Sequence, residues 1–195
     1  MIQTADVLRV FHALRENAIV VPGRGGRHWA KISIQSGRDL PMGDPAMGGH
    51  AGFALGVALA RPKDKVVLFD SEGDLLMNLG IQPTVAEQAP ANCYHFMLDN
   101  ECYATTGGQP VPNAKNVAYD VIARGAGYPR AFAFDELEDV RAHIVSILAQ
   151  PGPVFVALKV TPEVENVPIG QRQRWQTRTR IRVLEDLRAE LGIKG

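Results

Sequence analysis

Residues 65–70 read KVVLFD, and residues 92–100 read NCYHFMLDN. Both are mainly apolar runs of strand length, which are typical of parallel strands covered on both faces. A third run of the same character, PVFVALKV, occupies residues 153–160. Together the three runs predict a parallel sheet with a buried centre.

Segments with helical patterns alternate with these strands. The run AIVV at residues 18–21 adds a shorter strand that leads into a Gly-rich loop. Gly80 and Pro83 interrupt one of the predicted helices, so we expect a kink or two short helices there. Strands that alternate with helices indicate an α/β fold, here a single doubly wound domain with a parallel sheet. The predicted helices cover residues 3–16 (with Thr4 as a candidate cap), 51–60, 74–89, 113–127, 135–150 and 181–192.

The composition excludes several classes of protein. The 195 residues include 21 Lys+Arg and 21 Asp+Glu, so a general polyanion binder is not expected. With 46% hydrophobic and 22% charged residues, the chain suits a globular domain rather than a disordered one. We find no apolar run near the roughly 20 residues of a membrane span and no signal-peptide pattern. Two cysteines form neither a disulfide framework nor a zinc pattern, so we expect a cytoplasmic protein that binds neither nucleic acid nor membranes.

Polar residues follow two of the buried strands. Ser71-Glu72-Gly73 comes just after the first run, and Asp99-Asn100 ends the second. Neighbouring parallel strands lie about 4.8 Å apart, so a carboxylate and an amide oxygen at their ends can reach one Mg²⁺ ion. Backbone N–H groups at Gly73 and at the start of the next helix can hold phosphate groups. The residues alone leave two interpretations open, a magnesium–diphosphate site or ordinary turns.

The same region resembles the motif of thiamine-diphosphate-dependent enzymes, a Gly-Asp-Gly element followed about 25 residues later by an Asn-Asn pair. Ser71-Glu72-Gly73 stands at the first element and Asp99-Asn100 at the second. More narrowly, most of residues 15–160 is similar to sulfopyruvate and phosphonopyruvate decarboxylases. The similarity is carried by MGGHAGFALGVALARPKDKVVLFD (47–70), LLMNLG (75–80) and APANCYHFMLDNECYATTGGQP (89–110).

This resemblance implies a role for each matching position. Residues 1–165 would form the domain that binds thiamine diphosphate. The metal Mg²⁺ would be bound by Glu72, the Asn100 side chain and the Cys102 carbonyl. Met47 would hold the cofactor in its bent shape, which brings the 4′-amino group to the reactive carbon of the thiazolium ring. The other implied cofactor contacts are Pro45 and Met47 at the aminopyrimidine and Gly73, Asp74, Asn100 and Tyr103 around the diphosphate and metal.

Two positions depart from the family motif. Glu72 replaces the usual Asp, and Asp74 replaces the usual small hydroxyl residue. Asp74 either faces the diphosphate and repels it or points to solvent from the helix start. The orientation of Asp74 therefore decides whether a second carboxylate faces the diphosphate.

Several loop residues are further candidates. His50 is the candidate catalytic proton shuttle, with His28 as a second choice. Arg24 and Arg27 either hold a sulfonate or phosphonate group or lie in a solvated loop. Cys102 has no evident His or Asp partner, and His12, His95 and His143 are expected to be packing or surface residues. Residues 166–195 are expected to form a basic interface arm and helix, with Trp175 among Arg172, Arg174, Arg178, Arg180 and Arg182.

The resemblance also implies a function. Thiamine enzymes need a glutamate at N1′ of the pyrimidine ring, and a pyrimidine-binding α subunit is expected to supply it, because one domain fills this chain. We expect the diphosphate-binding subunit of a 2-oxo acid decarboxylase that acts on a 3-substituted pyruvate, such as sulfopyruvate or phosphonopyruvate. Two alternatives stay open: an enzyme that uses the same cofactor for carboligation or oxidation, and a non-catalytic partner subunit with a degenerate site.

Overall fold

The computed structural model describes residues 1–42, 47–164, 166–171 and 177–193. Within these ranges the strands are β1 (Ile19–Pro22), β2 (Val66–Ser71), β3 (Cys93–Asp99), β4 (Cys102–Tyr103), β5 (Gln109–Pro110), β6 (Arg130–Phe134) and β7 (Val154–Lys159). Five of them form one parallel sheet in the order β1-β2-β3-β7-β6. The other two, β4 and β5, form a small antiparallel hairpin. The predicted parallel sheet is confirmed.

The helices of the described ranges lie between and after the strands. They are α1 (Thr4–Ala13), α2 (Trp29–Ile32), α3 (His50–Ala60), α4 (Glu72–Met77), α5 (Ile81–Gln88), α6 (Tyr119–Gly125), α7 (Leu137–Ala149) and α8 (Arg180–Glu190). In the part of the chain that is described, no helix combines the length and the apolar character that crossing a membrane requires.

The sheet is covered on both faces because successive side chains of each strand point in opposite directions. On one face, Val67 and Phe69 of β2 pack in a cluster with Phe11 of α1 and Ile144 of α7. On the other face, Val66 and Leu68 pack with α3 and α8, and β3 packs with α4, α5 and α6. The doubly wound α/β architecture is thus confirmed, with helices on both sides of a buried sheet.

Three local expectations need correction. Strand β6 was not predicted, because it is an edge strand of alternating Ala and Phe that pairs only with β7. The helix expected over residues 113–127 begins only at Tyr119, and the expected cap Thr4 lies inside α1, whose cap position is Gln3. The expected break in residues 74–89 is present as two short helices. It lies before Ile81, and Pro83 is accommodated in the first turn of α5.

The C-terminal helix α8 packs against the same domain. Val183 and Leu187 are buried in one cluster with Ile19 and Val21 of β1. Arg178 and Arg182 both pair with Asp186 of α8. The predicted interface role of residues 166–195 stays a prediction, and Arg172, Arg174 and Trp175 lie outside the described residues.

Candidate functional site

A pocket opens at the carboxyl ends of β1, β2 and β3, where ligands bind in folds of this kind. Its lining contains most of the predicted cofactor and metal residues: Met47, Gly73, Asp74, Asn100, Cys102 and Tyr103. Two predicted residues, Glu72 and His50, are buried and do not form its surface. The predicted contact Pro45 lies outside the described residues. The sheet therefore brings together segments that are far apart in sequence.

The carboxylate of Glu72 and the amide of Asn100 meet at one backbone group. Glu72 begins α4 directly after β2, and Asn100 follows β3. The Cys102 N–H donates to Glu72 Oε1 at 3.0 Å and to Asn100 Oδ1 at 3.0 Å. Two oxygens from neighbouring strand ends thus converge, as the spacing predicted.

The second oxygen of Glu72 is buried without a partner. Glu72 is 0% exposed, and its Oε2 atom has no hydrogen bond among the described residues. Burial, and then the nearby Asp99, raise the pKa of Glu72 to about 8. An unpaired carboxylate oxygen beside an amide oxygen is a donor set that suits a hard cation such as Mg²⁺. The residues present therefore fit the metal that the motif implies.

Glycine is required at the floor of the pocket. A Cβ atom on Gly73 would lie 2.9 Å from Cδ1 of the Tyr103 ring. On the opposite side, a Cβ on Gly25 would lie 2.0 Å from the carbonyl oxygen of Asp70. The Tyr103 ring thus packs on Gly73 and the backbone of Asp70 packs on Gly25, so neither position has room for a side chain.

Asp74 is paired rather than exposed. It is 4% exposed, so the alternative that it points to solvent is wrong. Its Oδ1 accepts from the Gly48 N–H at 2.9 Å, and its Oδ2 lies 2.8 Å from His50 Nδ1. Burial alone would raise the pKa of Asp74, but the hydrogen bonds from His50 and Gly48 outweigh it and hold the pKa below its ordinary value. The second carboxylate of the site therefore has its own partners.

Charged residues of the loop after β1 stand at another wall of the pocket. Arg24 and Arg27 both line it. Arg27 donates to the Glu163 carboxylate at 3.0 Å, and His28 Nε2 lies 2.6 Å from the same oxygen. Arg27 and His28 are thus half-buried and paired, so the solvated-loop alternative is wrong for Arg27.

Sequence reasoning missed a buried polar network behind the pocket. His95, expected to be a packing or surface residue, is buried with Nε2 3.1 Å from Asp70 Oδ2. The potential ligand atoms of His50, Asp70 and Asp74 lie within 4.8 Å of one another. Each of these groups is already hydrogen-bonded, so they form a network rather than a vacant ligand set. One sequence signal could have indicated this network: His95 lies inside one predicted strand, and Asp70 lies near the end of the neighbouring strand.

Asn78 is a second residue that was missed. Its Nδ2 donates to the Gly48 carbonyl at 3.0 Å, directly beside the contact made by Asp74. Asn78 lies in the segment LLMNLG (75–80), but that segment alone does not indicate which backbone group the Asn78 side chain contacts.

Comparison with known proteins gives the site a context. A family model described as thiamine pyrophosphate enzyme, C-terminal TPP binding domain, matches residues 32–158. The phosphonopyruvate decarboxylases of Streptomyces hygroscopicus and Streptomyces viridochromogenes are each 38% identical over 117 residues, which are 60% of this chain and 29% of each relative. The sulfopyruvate decarboxylase subunit beta of Methanothermobacter thermautotrophicus is 37% identical over 174 residues, 87% of this chain and 88% of that subunit. The chain thus spans less than a third of the length of the two phosphonopyruvate decarboxylases and most of the length of the sulfopyruvate decarboxylase subunit.

Proposed function

Because the chain belongs to the thiamine pyrophosphate enzymes, as their C-terminal domain that binds thiamine pyrophosphate (thiamine diphosphate), we propose that it is one subunit of a 2-oxo acid decarboxylase. The single observation that carries this proposal is the convergence of Glu72 and Asn100 on the Cys102 amide, with Glu72 Oε2 buried and without a hydrogen-bond partner among the described residues. Relatives named as decarboxylases of sulfopyruvate and phosphonopyruvate support the reaction and a 3-substituted pyruvate as substrate.

The predicted site residues have the following roles in this proposal. Glu72, Asn100 Oδ1 and the Cys102 carbonyl would hold Mg²⁺, which would neutralise charge on the diphosphate. Gly73 lets the diphosphate approach the backbone, and Met47 stands on the aminopyrimidine side. Thiamine diphosphate, when bound, supplies the electron sink for the electron pair left when CO₂ departs. The remaining contacts proposed for the cofactor are Pro45, Asp74 and Tyr103.

The proposal includes a partner subunit in the cytoplasm. The relative from Methanothermobacter is named as a subunit beta, which supports a complex with a second chain. Met47 and Met77 line the pocket and are 57% and 52% exposed, so apolar surface remains for a partner to cover at this point. We propose that a pyrimidine-binding subunit covers it and contributes the glutamate that contacts the pyrimidine ring.

The second acidic group of the substrate has a candidate site. Sulfopyruvate and phosphonopyruvate both carry a strongly acidic group on C3, and a guanidinium matches its oxygens by charge and by paired hydrogen bonds. Arg24 is one of the residues that line the pocket. We therefore assign it to the sulfonate or phosphonate group.

Product analysis of the purified complex tests the reaction. The chain is produced with its pyrimidine-binding subunit and supplied with thiamine diphosphate, Mg²⁺ and either sulfopyruvate, phosphonopyruvate or pyruvate. We expect CO₂ and the aldehyde one carbon shorter from one of the two acidic substrates, and much slower turnover of pyruvate. A condensed hydroxy-keto product or an acyl product in place of the aldehyde would contradict decarboxylation and favour carboligation or oxidation.

A further inference from the structure

The turn at residues 47–49 is attached to α4 by two side chains. The Gly48 N–H donates to Asp74 Oδ1 at 2.9 Å, and Asn78 Nδ2 donates to the Gly48 carbonyl at 3.0 Å. Asp74 lies in the first turn of α4, and Asn78 follows its last residue. Positions four apart lie on the same side of a helix. One side of α4 therefore binds both backbone polar groups of Gly48.

The backbone of Gly48 lies directly on the end of α4. Its φ angle is +74°, in the left-handed region that favours glycine. A Cβ atom at this position would lie 3.2 Å from the Cβ atoms of Met77 and Asn78. The close approach leaves little room for the turn to shift along the helix.

His50 holds the carboxylate that makes this attachment. His50 and Asp74 are each 4% exposed, and Nδ1 of His50 lies 2.8 Å from Asp74 Oδ2. The two oxygens of Asp74 thus have different partners, one on the turn and one on the first residue of α3. A carboxylate fixed at both oxygens cannot rotate away from Gly48 without losing a buried hydrogen bond.

We propose that Asp74 and Asn78 are positioning residues that clamp Gly48 and so fix Met47 relative to the Glu72–Gly73 corner of the pocket. His50 acts through Asp74, which it holds in the orientation that the clamp needs. The inference rests on the proposed function, because only a shared ligand makes the distance between Met47 and Gly73 matter. Asp74 then belongs to the frame of the cofactor site, although the usual motif has a small residue there.

Amide exchange tests the clamp without any cofactor. We would measure hydrogen exchange of the Gly48 amide by NMR in the metal-free chain and in Asp74→Ala, Asp74→Asn and Asn78→Ala variants. A lost hydrogen bond to a charged group predicts roughly tenfold or faster exchange at Gly48 in Asp74→Ala. Asp74→Asn keeps an acceptor for the amide and should restore most of the protection. Asp139→Ala, an exposed aspartate on α7, is the matched control and should leave Gly48 unchanged.

Asn78→Ala keeps the inference testable if Asp74→Ala does not fold. Asn78 is exposed, and within the described residues its side chain donates one hydrogen bond, to Gly48, so its replacement by Ala should leave the fold intact. In the complex with the partner subunit, we expect Asn78→Ala to lower kcat at saturating thiamine diphosphate roughly tenfold, with the substrate KM unchanged. A role in general stability alone would not produce this split.

The outcomes separate the clamp from the proposed function. Unchanged Gly48 exchange in Asp74→Ala and Asn78→Ala overturns the clamp, whatever the activity. Faster exchange with wild-type kcat in both variants overturns the positioning role. A wild-type complex that binds no thiamine diphosphate in a calorimetric titration overturns the proposed function, and the positioning role falls with it.

Discussion

Among single residues, Glu72 is buried with one carboxylate oxygen in a hydrogen bond and the other without a partner in the part of the chain that the structure describes. Burial and Asp99 raise its pKa to about 8. A carboxyl group whose pKa is raised on folding binds its proton more tightly in the folded chain than in the unfolded one. Its contribution to stability is therefore greatest below its ordinary pKa and is lost as the pH rises toward the folded value.

This predicts a pH dependence of the metal-free chain. The free energy of unfolding of Glu72→Gln, relative to the wild type, should increase as the pH rises from about 5 to about 8. The limiting slope for one such group is about 1.4 kcal/mol per pH unit. Urea unfolding of both proteins at several pH values, in the presence of a chelator, measures this difference in the free energy of unfolding.

Glu87→Gln provides the control, because Glu87 is exposed on α5 and the substitution makes the same change in charge. Its difference from the wild type should stay constant over the same pH range. If Glu72→Gln behaves like Glu87→Gln, folding does not raise the pKa of Glu72 as described above.

The sequence predicted some contacts of this site and not others. Glu72 and Asn100 were expected to meet because each ends or follows one of two buried strands, and parallel strands share an edge. The partner of Asp74 was not predictable in this way. His50 lies 24 positions earlier, and only the packing of α3 against the sheet brings it to Asp74.

At the scale of elements, α8 extends the core beyond the predicted domain boundary. Leu187 is 8% exposed on the face that meets β1, and Leu184 on the same helix is 45% exposed. Leu187→Ala should therefore lower the free energy of unfolding by about 2–4 kcal/mol, since it leaves a cavity. Leu184→Ala should cost less than about 1 kcal/mol.

Denaturant unfolding of the two variants measures this difference. The pair is matched in residue type, helix and substitution, so helix propensity affects both equally. Equal losses in the two variants would contradict the docking of α8 on the sheet.

Two elements differ from the sequence prediction, and burial explains each of them: β6 was not predicted, and the helix predicted over residues 113–127 is shorter than expected. The buried strands gave continuous apolar runs because both of their faces are covered. β6 lies at the edge and is only partly buried, so its short Ala and Phe alternation gave a weak signal. Residues 113–118 have helix-forming composition in part, but the helix begins only where Tyr119 becomes buried.

In the whole molecule, the sheet brings three segments together at the proposed cofactor site. The turn at Met47, the start of α4 at Gly73 and the segment after β3 line one pocket. Met47 and Met77 are exposed at this pocket, on the side where we propose that the partner subunit binds. In this proposal, the chain completes its active site only with a second chain.

A titration of activity tests that claim most directly. The purified chain is held at fixed concentration with saturating thiamine diphosphate and Mg²⁺, and CO₂ release from sulfopyruvate is followed as the pyrimidine-binding subunit is added. We expect no turnover by either chain alone and a rate that rises to a plateau as the pyrimidine-binding subunit is added. Full turnover by this chain alone, unchanged when the second subunit is added, would contradict it.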